Sequence, residues 1–224
     1  MAGNLFRRVN YFNPEYEIYT RYSYSSNEKK GLSNPVVGRT IEDKDGNLWI
    51  GTEGGGLNYY NRRTREFKWY RPQEGRNSIS HNNVKALYYD ADKEIIWIGT
   101  HLGGLNKLDI RSGHFTHYRM EEGNPATLPS DIIRDIIPYK SLLIVATQNG
   151  VCLFNPANGQ CQQLFKDSKE GKSIKMIADV TFDSEGTLWI AATGEGVFSY
   201  RFDTRKLTNY RHDATNRTAS AITM

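Results

Sequence analysis

Charged and histidine side chains in loops are the residues of this sequence best suited to bind a ligand. Arginine and histidine form charge-assisted hydrogen bonds with anionic groups, and neighbouring tyrosines offer rings for stacking. An acidic or sulfated sugar would suit this chemistry, whereas the alternative is that these residues are solvated or contact other parts of the protein. The candidate ligand-binding residues are Glu53, Arg71, Arg76, His81, His101, Arg119, Thr147 and Glu195.

Asp43-Lys44-Asp45-Gly46 resembles the opening of a calcium-binding loop. Such a loop also needs a third oxygen-bearing residue before the glycine and a bidentate glutamate further on, and both are absent. The same pattern recurs as Asp183-Ser184-Glu185-Gly186. Recurrence at a fixed position favours a hairpin turn over a metal site.

Histidine and cysteine spacing predicts no metal, cofactor or catalytic site. His114 and His117 would point to opposite faces of one strand. The sequence contains no H-x-x-x-H, C-x-x-C or G-x-S-x-G pattern. A catalytic pair assembled from distant segments stays open.

Cys152 and Cys161 flank a turn and fall on neighbouring strands. They could bridge in an oxidising compartment, but offset pairing would place their Cα atoms too far apart. A pair of buried free thiols is the alternative, in which Cys161 acts as a small hydrophobic residue.

The elements that must hold these residues come from an internal repeat. Leu48-Trp49-Ile50-Gly51-Thr52 recurs as Ile96-Trp97-Ile98-Gly99-Thr100 and, less closely, near residues 143 and 189. Fixed offsets assign the repeat anchors Trp49, Trp97, Leu143 and Trp189, with the turn glycines Gly56, Gly104, Gly150 and Gly196. The tryptophans are large enough to fill the space between neighbouring sheets, and the glycines suit hairpin turns that need positive φ.

Each repeat predicts four short strands joined by hairpin turns, which is typical of a β-propeller blade. The sequence therefore predicts an all-β fold, a single partial propeller over residues 1–224 made of four-stranded antiparallel blades. The predicted blades are 32–71, 80–119, 130–165 and 174–211, with the outer strands of another at 5–22 and the start of one at 212–224. Leu143 and a shorter first turn make the third blade the least regular. Alternating strand direction places the glycine-rich turns on the same face as the loops between blades.

The repeats resemble the two-component regulator propeller repeat. That pattern has a Leu-Ser-Asn lead, a Val-x-x-Ile strand, Asp-x-x-Gly-x-Leu-Trp-Ile-Gly-Thr, Gly-Leu and a closing Phe-x-x-Tyr. The first repeat matches this pattern at Leu32-Ser33-Asn34, Asp43, Gly46 and 48–52. The second repeat matches at Val84, 97–100, Gly104-Leu105, Phe115 and Tyr118. The fourth repeat matches at Asp183, Gly186, 188–190 and 196–197. The third repeat departs, since it has neither the tryptophan nor Asp-x-x-Gly.

The resemblance implies a periplasmic, ligand-sensing piece of a hybrid two-component system of the Bacteroides type. In such proteins propellers precede a membrane helix, a histidine kinase and a response regulator, and the usual inputs are oligosaccharides that switch on glycan-utilisation genes. On this reading the fragment is not an enzyme, although its parent would be a kinase. Its partners would be an oligosaccharide and either the missing blades or a second copy at open sheet edges. A propeller lyase or hydrolase and a protein-binding scaffold are the alternatives.

Composition excludes several other classes. The 224 residues are 38% hydrophobic, 12% aromatic and 24% charged, as in an ordinary globular domain. The sequence has no apolar run of membrane-spanning length and no signal-peptide pattern. The net charge of +4 is spread along the chain, so no nucleic-acid partner is expected.

Overall fold

The computed structural model describes residues 2–4, 8–13, 18–166, 168, 171 and 174–211. The blade start that the repeat predicts at 212–224 lies outside these residues.

Four sheets of four antiparallel strands make up most of the described chain, which confirms the all-β propeller-segment prediction. Within each sheet the strands follow one another in chain order, because short turns favour pairing of sequential strands. Blade 1 holds β4 (Val37–Glu42), β5 (Leu48–Thr52), β6 (Leu57–Asn61) and β7 (Glu66–Tyr70). Blade 2 holds β8 (Val84–Asp90), β9 (Ile95–Thr100), β10 (Leu105–Asp109) and β11 (His114–Tyr118).

Blade 3 holds β12 (Ile133–Tyr139), β13 (Leu142–Thr147), β14 (Gly150–Phe154) and β15 (Cys161–Gln163). Blade 4 holds β16 (Ile177–Phe182), β17 (Leu188–Ala192), β18 (Gly196–Arg201) and β19 (Lys206–Tyr210). The last strand of blade 3 has three residues where its counterparts have five, in line with the expected irregularity of this blade. A short 3₁₀ helix, Glu28–Lys30, precedes blade 1.

The N-terminal sheet has three strands, β1 (Ala2–Asn4), β2 (Arg8–Asn13) and β3 (Ile18–Tyr22), rather than two outer strands alone. Ala2 pairs with Asn10 in the same register in which Ile50 pairs with Asn58, 48 residues later. Residues 5–22 hold the two outer strands, β2 and β3, and residues 2–4, for which no strand was predicted, form part of the second strand of the same blade.

The first strands of the blades lie closest together. Strand β8 contacts both β4 and β12, and β12 contacts β16. Successive sheets therefore meet through their first strands, as sheets arranged around a common axis must. We call the space that these strands face the channel.

Tryptophan side chains fill the space between blades, as the repeat predicts. Trp49 is 2% exposed and packs with Ile96 and Ile98 of blade 2. Trp97 is 1% exposed and packs against blade 3, with its ring centroid 5.3 Å from that of Phe154. Trp189 is partly exposed, because the described residues place no following sheet over it.

The tryptophan position of blade 3 belongs to Ile144, not to Leu143. Ala146 pairs with Val151 as Gly51 pairs with Leu57, so Ala146 is equivalent to Gly51. Ile144 lies two residues before Ala146, just as Trp49 lies two residues before Gly51. The glycine turn of blade 3 is one residue shorter than the others, so a fixed offset misplaces the anchor by one. Since side chains alternate along a strand, that single residue reverses the face. Ile144 packs toward blade 4, whereas Leu143 packs toward blade 2.

The recurrent aspartates stabilise turns and orient tryptophans. One oxygen of Asp43 accepts the N–H groups of Asp45 and Asn47 at 3.0 and 2.9 Å, and the other accepts the Trp49 indole N–H at 3.1 Å. Asp183 repeats this arrangement and accepts the Trp189 indole at 2.8 Å. Both carboxylates are thus hydrogen-bonded within a hairpin turn.

The turn glycines adopt the conformation that the sequence predicts. Gly56, Gly104, Gly150 and Gly196 all have positive φ. At Gly104 a Cβ atom would lie 2.3 Å from the carbonyl oxygen of Tyr118, so only glycine fits this turn.

Cys152 and Cys161 are free thiols with their sulfur atoms 3.2 Å apart. Cys152 pairs with Gln163 and Cys161 pairs with Phe154, which is the offset register expected to keep the Cα atoms apart. Both side chains are buried, and burial raises the pKa of the Cys152 thiol.

We expect both thiols to react with a thiol reagent such as DTNB at least about a hundredfold more slowly in the folded protein than in urea, because reaction requires local opening. Complete reaction of two thiols per chain in urea is the control. Rapid reaction of either thiol in the folded chain would contradict this burial.

Candidate ligand-binding site

Each first strand carries a β-bulge at the same height. The register shifts between Val37 and Thr40, Val84 and Ala86, Ile133 and Asp135, and Ile177 and Asp179. Bulges redirect side chains and are frequent beside functional sites. The charged residues within or directly after these four bulges are Arg39, Lys85, Arg134, Asp135 and Asp179.

Arg39 joins three blades. Its Nη2 atom lies 3.3 Å from Asp135 Oδ2 of blade 3 and 3.2 Å from Asp179 Oδ1 of blade 4. Arg39 and Asp179 are separated by 140 residues in sequence. The ion pairs therefore connect first strands that only the curved arrangement of successive blades brings together.

Asp135 is the buried member of this cluster, with 5% of its surface exposed. Its Oδ1 atom accepts the N–H of Ile136 at 2.9 Å. Burial and a hydrogen bond with Asp179 raise the pKa of Asp135 to about 6, against the opposing effect of Arg39. Ionisation of Asp135 in the folded protein therefore lowers the free energy of unfolding.

The glycine-rich turns lie beside the starts of the first strands. In each of the four blades, the residue that follows the second strand donates its N–H to the carbonyl oxygen of the residue that precedes the first strand. The N···O distances are 2.9–3.1 Å. These pairs are Glu53 with Val36, His101 with Asn83, Gln148 with Ile132, and Thr193 with Met176. The glycine-rich turns and the loops between blades thus share one face, which we call the turn face.

Three predicted site residues come together on the turn face of blade 2. His81 Nδ1 accepts the N–H of Asn83 at 3.1 Å, and Asn83 also accepts the His101 N–H. Burial lowers the pKa of His81, and the neighbouring His101 and Arg119 side chains lower it further. Arg119 donates to the Leu102 carbonyl at 3.1 Å. His101 Nδ1 is buried with no hydrogen-bond partner among the described residues.

The other predicted site residues are spread over the turn face and its loops. Glu53 forms an ion pair with Lys85, which connects it to the channel, and Glu195 forms one with Arg211. The Arg71 guanidinium lies 4.5 Å from the centroid of the Trp69 ring and donates to the Ser33 carbonyl at 3.3 Å.

Arg76 donates to Gln73 at 3.4 Å from an exposed loop. Thr147 is fully buried and donates its hydroxyl to the Gly150 carbonyl at 2.8 Å, so Gln148 occupies the variable turn position in blade 3.

A cavity of about 370 Å³ lies at the turn-face end of the channel. Its lining joins three cations from three blades to a mostly apolar wall from blade 4, and consists of Arg39, Lys85, Arg134, Met176, Ile177, Ala178 and Thr193. A cavity of this size is in the range of small-ligand sites. Its position and lining make it the candidate ligand-binding site.

Sequence reasoning missed the channel residues because it assigned binding to turns and loops. The repeat itself contains a signal, because charged residues stand in the first strands at positions where other repeats have small residues. The charged residues are Arg39, Lys85, Arg134, Asp135 and Asp179. A charge within a half-buried strand needs a partner or a ligand.

Among the residues that the structure describes, no three His, Cys, Asp or Glu side chains are grouped to hold a metal ion. The described part of the chain also contains no helix with the length and apolar character needed to cross a bilayer.

Comparison with known families and structures agrees with this architecture. The family model for the two component regulator propeller matches residues 31–54 and 78–101, which include the tryptophan strands of blades 1 and 2. No curated protein matches the chain.

Solved structures share the fold. The extracellular domain of a protein assigned as the hybrid two component system BT3049 from B. thetaiotaomicron has a TM-score of 0.74 and 23% identity, over 90% of this chain and 27% of that one. The extracellular domain of BT4673, from the same organism, has a TM-score of 0.69 and 24% identity, over 90% of this chain and 28% of that one. PorZ of the Porphyromonas gingivalis type-IX secretion system has a TM-score of 0.65 and 18% identity, over 88% of this chain and 29% of that one.

The chain thus spans about a quarter of the length of these structures. Its four-stranded blades show that it is a β-propeller segment, in which residues 31–54 and 78–101 match the two component regulator propeller model.

Proposed function

We propose that this chain is part of the periplasmic ligand-sensing region of a hybrid two-component system, and that its ligand is an oligosaccharide. The observation that carries the proposal is the channel cavity, in which blades 1, 2 and 3 each contribute a cation at equivalent bulges. The propeller repeats and the similarity to extracellular domains of hybrid two component systems support the same class of function.

The cavity can couple ligand binding to the arrangement of blades. Its lining comes from four sheets, so a ligand bound there contacts all of them at once. A ligand that binds one arrangement of sheets more tightly shifts the population toward it. In the parent sensor this shift would reach the kinase and, through the response regulator, genes for glycan use.

The outer face of blade 4 is the proposed contact with further blades of the parent protein or with a second copy. Trp49 and Trp97 are each covered by the following sheet, whereas Trp189 is partly exposed and Tyr210 beside it is 50% exposed. Membrane attachment, on this proposal, is a property of other parts of the parent.

We expect at least one oligosaccharide in a panel of neutral and acidic glycan fragments to raise the thermal midpoint of the folded chain by about 5–10 °C at a hundredfold excess over its Kd, as linkage requires. Equimolar monosaccharides are the control for unspecific effects. The proposal fails if no fragment shifts the midpoint of either this chain or the complete extracellular region.

A further inference from the structure

The charges around the channel are unequally compensated. Arg39 is paired with Asp135 and Asp179, and Lys85 is paired with Glu53. Arg134 has no ion pair among the described residues, and its Nη2 atom donates only to the amide oxygen of Gln148 at 3.2 Å. Its charge is therefore the one that neighbouring carboxylates leave uncompensated in this cluster.

The Arg134 guanidinium also has an unused donor. Its Nε atom is buried without a hydrogen-bond partner among the described residues. A buried donor without a partner costs free energy. The two Nη atoms of the guanidinium form a planar pair of donors that can bind carboxylate or sulfate through two hydrogen bonds.

The carboxylates of the cluster do not line the cavity. Arg39, Lys85 and Arg134 reach its surface, while Asp135, Asp179 and Glu53 do not contribute to the lining. A bound anion would thus meet three cations directly. The part of the lining from blade 4, Met176 to Ala178, is suited to the C–H groups of a sugar ring rather than to a bare ion.

We propose that the channel cavity binds the carboxylate or sulfate group of an acidic saccharide, with Arg134 as the principal ligand for the anion and Lys85 and Arg39 as flanking cations. This inference rests on the proposed function, which it narrows from oligosaccharides in general to anionic ones. The anionic group is the shared chemistry, and uronic acids and sulfated sugars are its two sources.

The test is isothermal titration of the folded chain with four probes: trigalacturonate, its fully methyl-esterified neutral form, a sulfated disaccharide and inorganic sulfate. We expect trigalacturonate or the sulfated disaccharide to bind, and the neutral ester to bind at least tenfold more weakly than the acid. Arg134→Gln should weaken binding of the anionic saccharide by about tenfold to a hundredfold. Arg63→Gln removes an exposed arginine from the turn between β6 and β7, outside the cavity, and should leave binding unchanged.

A second variant guards against an effect on folding. Arg134→Lys keeps the positive charge but lacks the two-donor fork, so we expect it to bind anionic saccharide with intermediate affinity at an unchanged unfolding midpoint. Equal binding of the acid and its ester, or full binding by Arg134→Gln, would overturn this inference and leave oligosaccharide sensing standing. Arg134-dependent binding of sulfate alone would support the anion site and count against a saccharide ligand. Absence of binding by every probe would overturn this inference, whereas oligosaccharide sensing is decided by the full panel of glycan fragments.

Discussion

Replacing Trp97 by alanine is expected to lower the free energy of unfolding by about 3–5 kcal/mol. The indole is 1% exposed and fills the space between blades 2 and 3, where it contacts Phe154 edge to face. Its removal leaves a cavity that two rigid sheets cannot close, so the lost transfer free energy and the cavity both contribute. Urea unfolding followed by circular dichroism measures the change.

Trp189→Ala is the matched control, because Trp189 occupies the same strand position in blade 4 and is partly exposed. Its loss should be roughly half that of Trp97→Ala or less, since less surface leaves water when it packs. Equal losses for the two variants would contradict the conclusion that the tryptophan stabilises the contact with the following blade.

Replacing Asp135 by asparagine is expected to stabilise the protein at pH 7.5 by up to about 3 kcal/mol and to have little effect near pH 4. Asparagine imitates the protonated acid and can still accept the Ile136 N–H. In the folded protein the pKa of Asp135 is about 6, above its ordinary value of 3.8. Between these values the folded state holds a proton that the unfolded state releases, so stability falls as pH rises toward 6 and stays lower above it.

The unfolding free energies of Asp135→Asn and the parent protein, measured in urea from pH 4 to 7.5, should diverge across that window. Arg39 keeps Asp179 as a partner, so the variant does not leave Arg39 unpaired. A difference between Asp135→Asn and the parent that does not change with pH would show that Asp135 has an ordinary pKa.

The sequence predicts the blades well because the repeat compares one part of the chain with another. Trp49 and Trp97 recur with the same flanking residues, and their alternation with apolar neighbours predicts which face they occupy. The turn glycines follow from the same comparison. Where the repeats share the same residues, the sequence therefore predicts the strand order, the sheet face of each side chain and the turn conformation.

The prediction is wrong at Leu143 because repeats were aligned at a fixed offset. One residue fewer in the turn before Gly150 shifts the alignment, and only the strand register reveals that Ile144 faces the next blade. The repeat also does not predict strand β1, because three residues are too few to show its pattern.

The channel site could not be predicted in the same way. Arg39, Asp135 and Asp179 lie in different repeats, and nothing in one repeat indicates that their side chains meet. Their contact depends on the curvature that successive sheets accumulate and on bulges that redirect the side chains. The sequence did predict that His81, His101 and Arg119 are candidates, and their proximity is a result of the fold.

The convergence of first strands on one channel is tested most directly by a double-mutant cycle between Arg39 and Asp135, which are 96 residues apart in sequence. Unfolding free energies of Arg39→Gln, Asp135→Asn, the double variant and the parent are compared at pH 7.5. We expect the effects to be non-additive by about 1 kcal/mol, because the two side chains form an ion pair between blades 1 and 3. Additive effects within experimental error would mean that these strands do not meet.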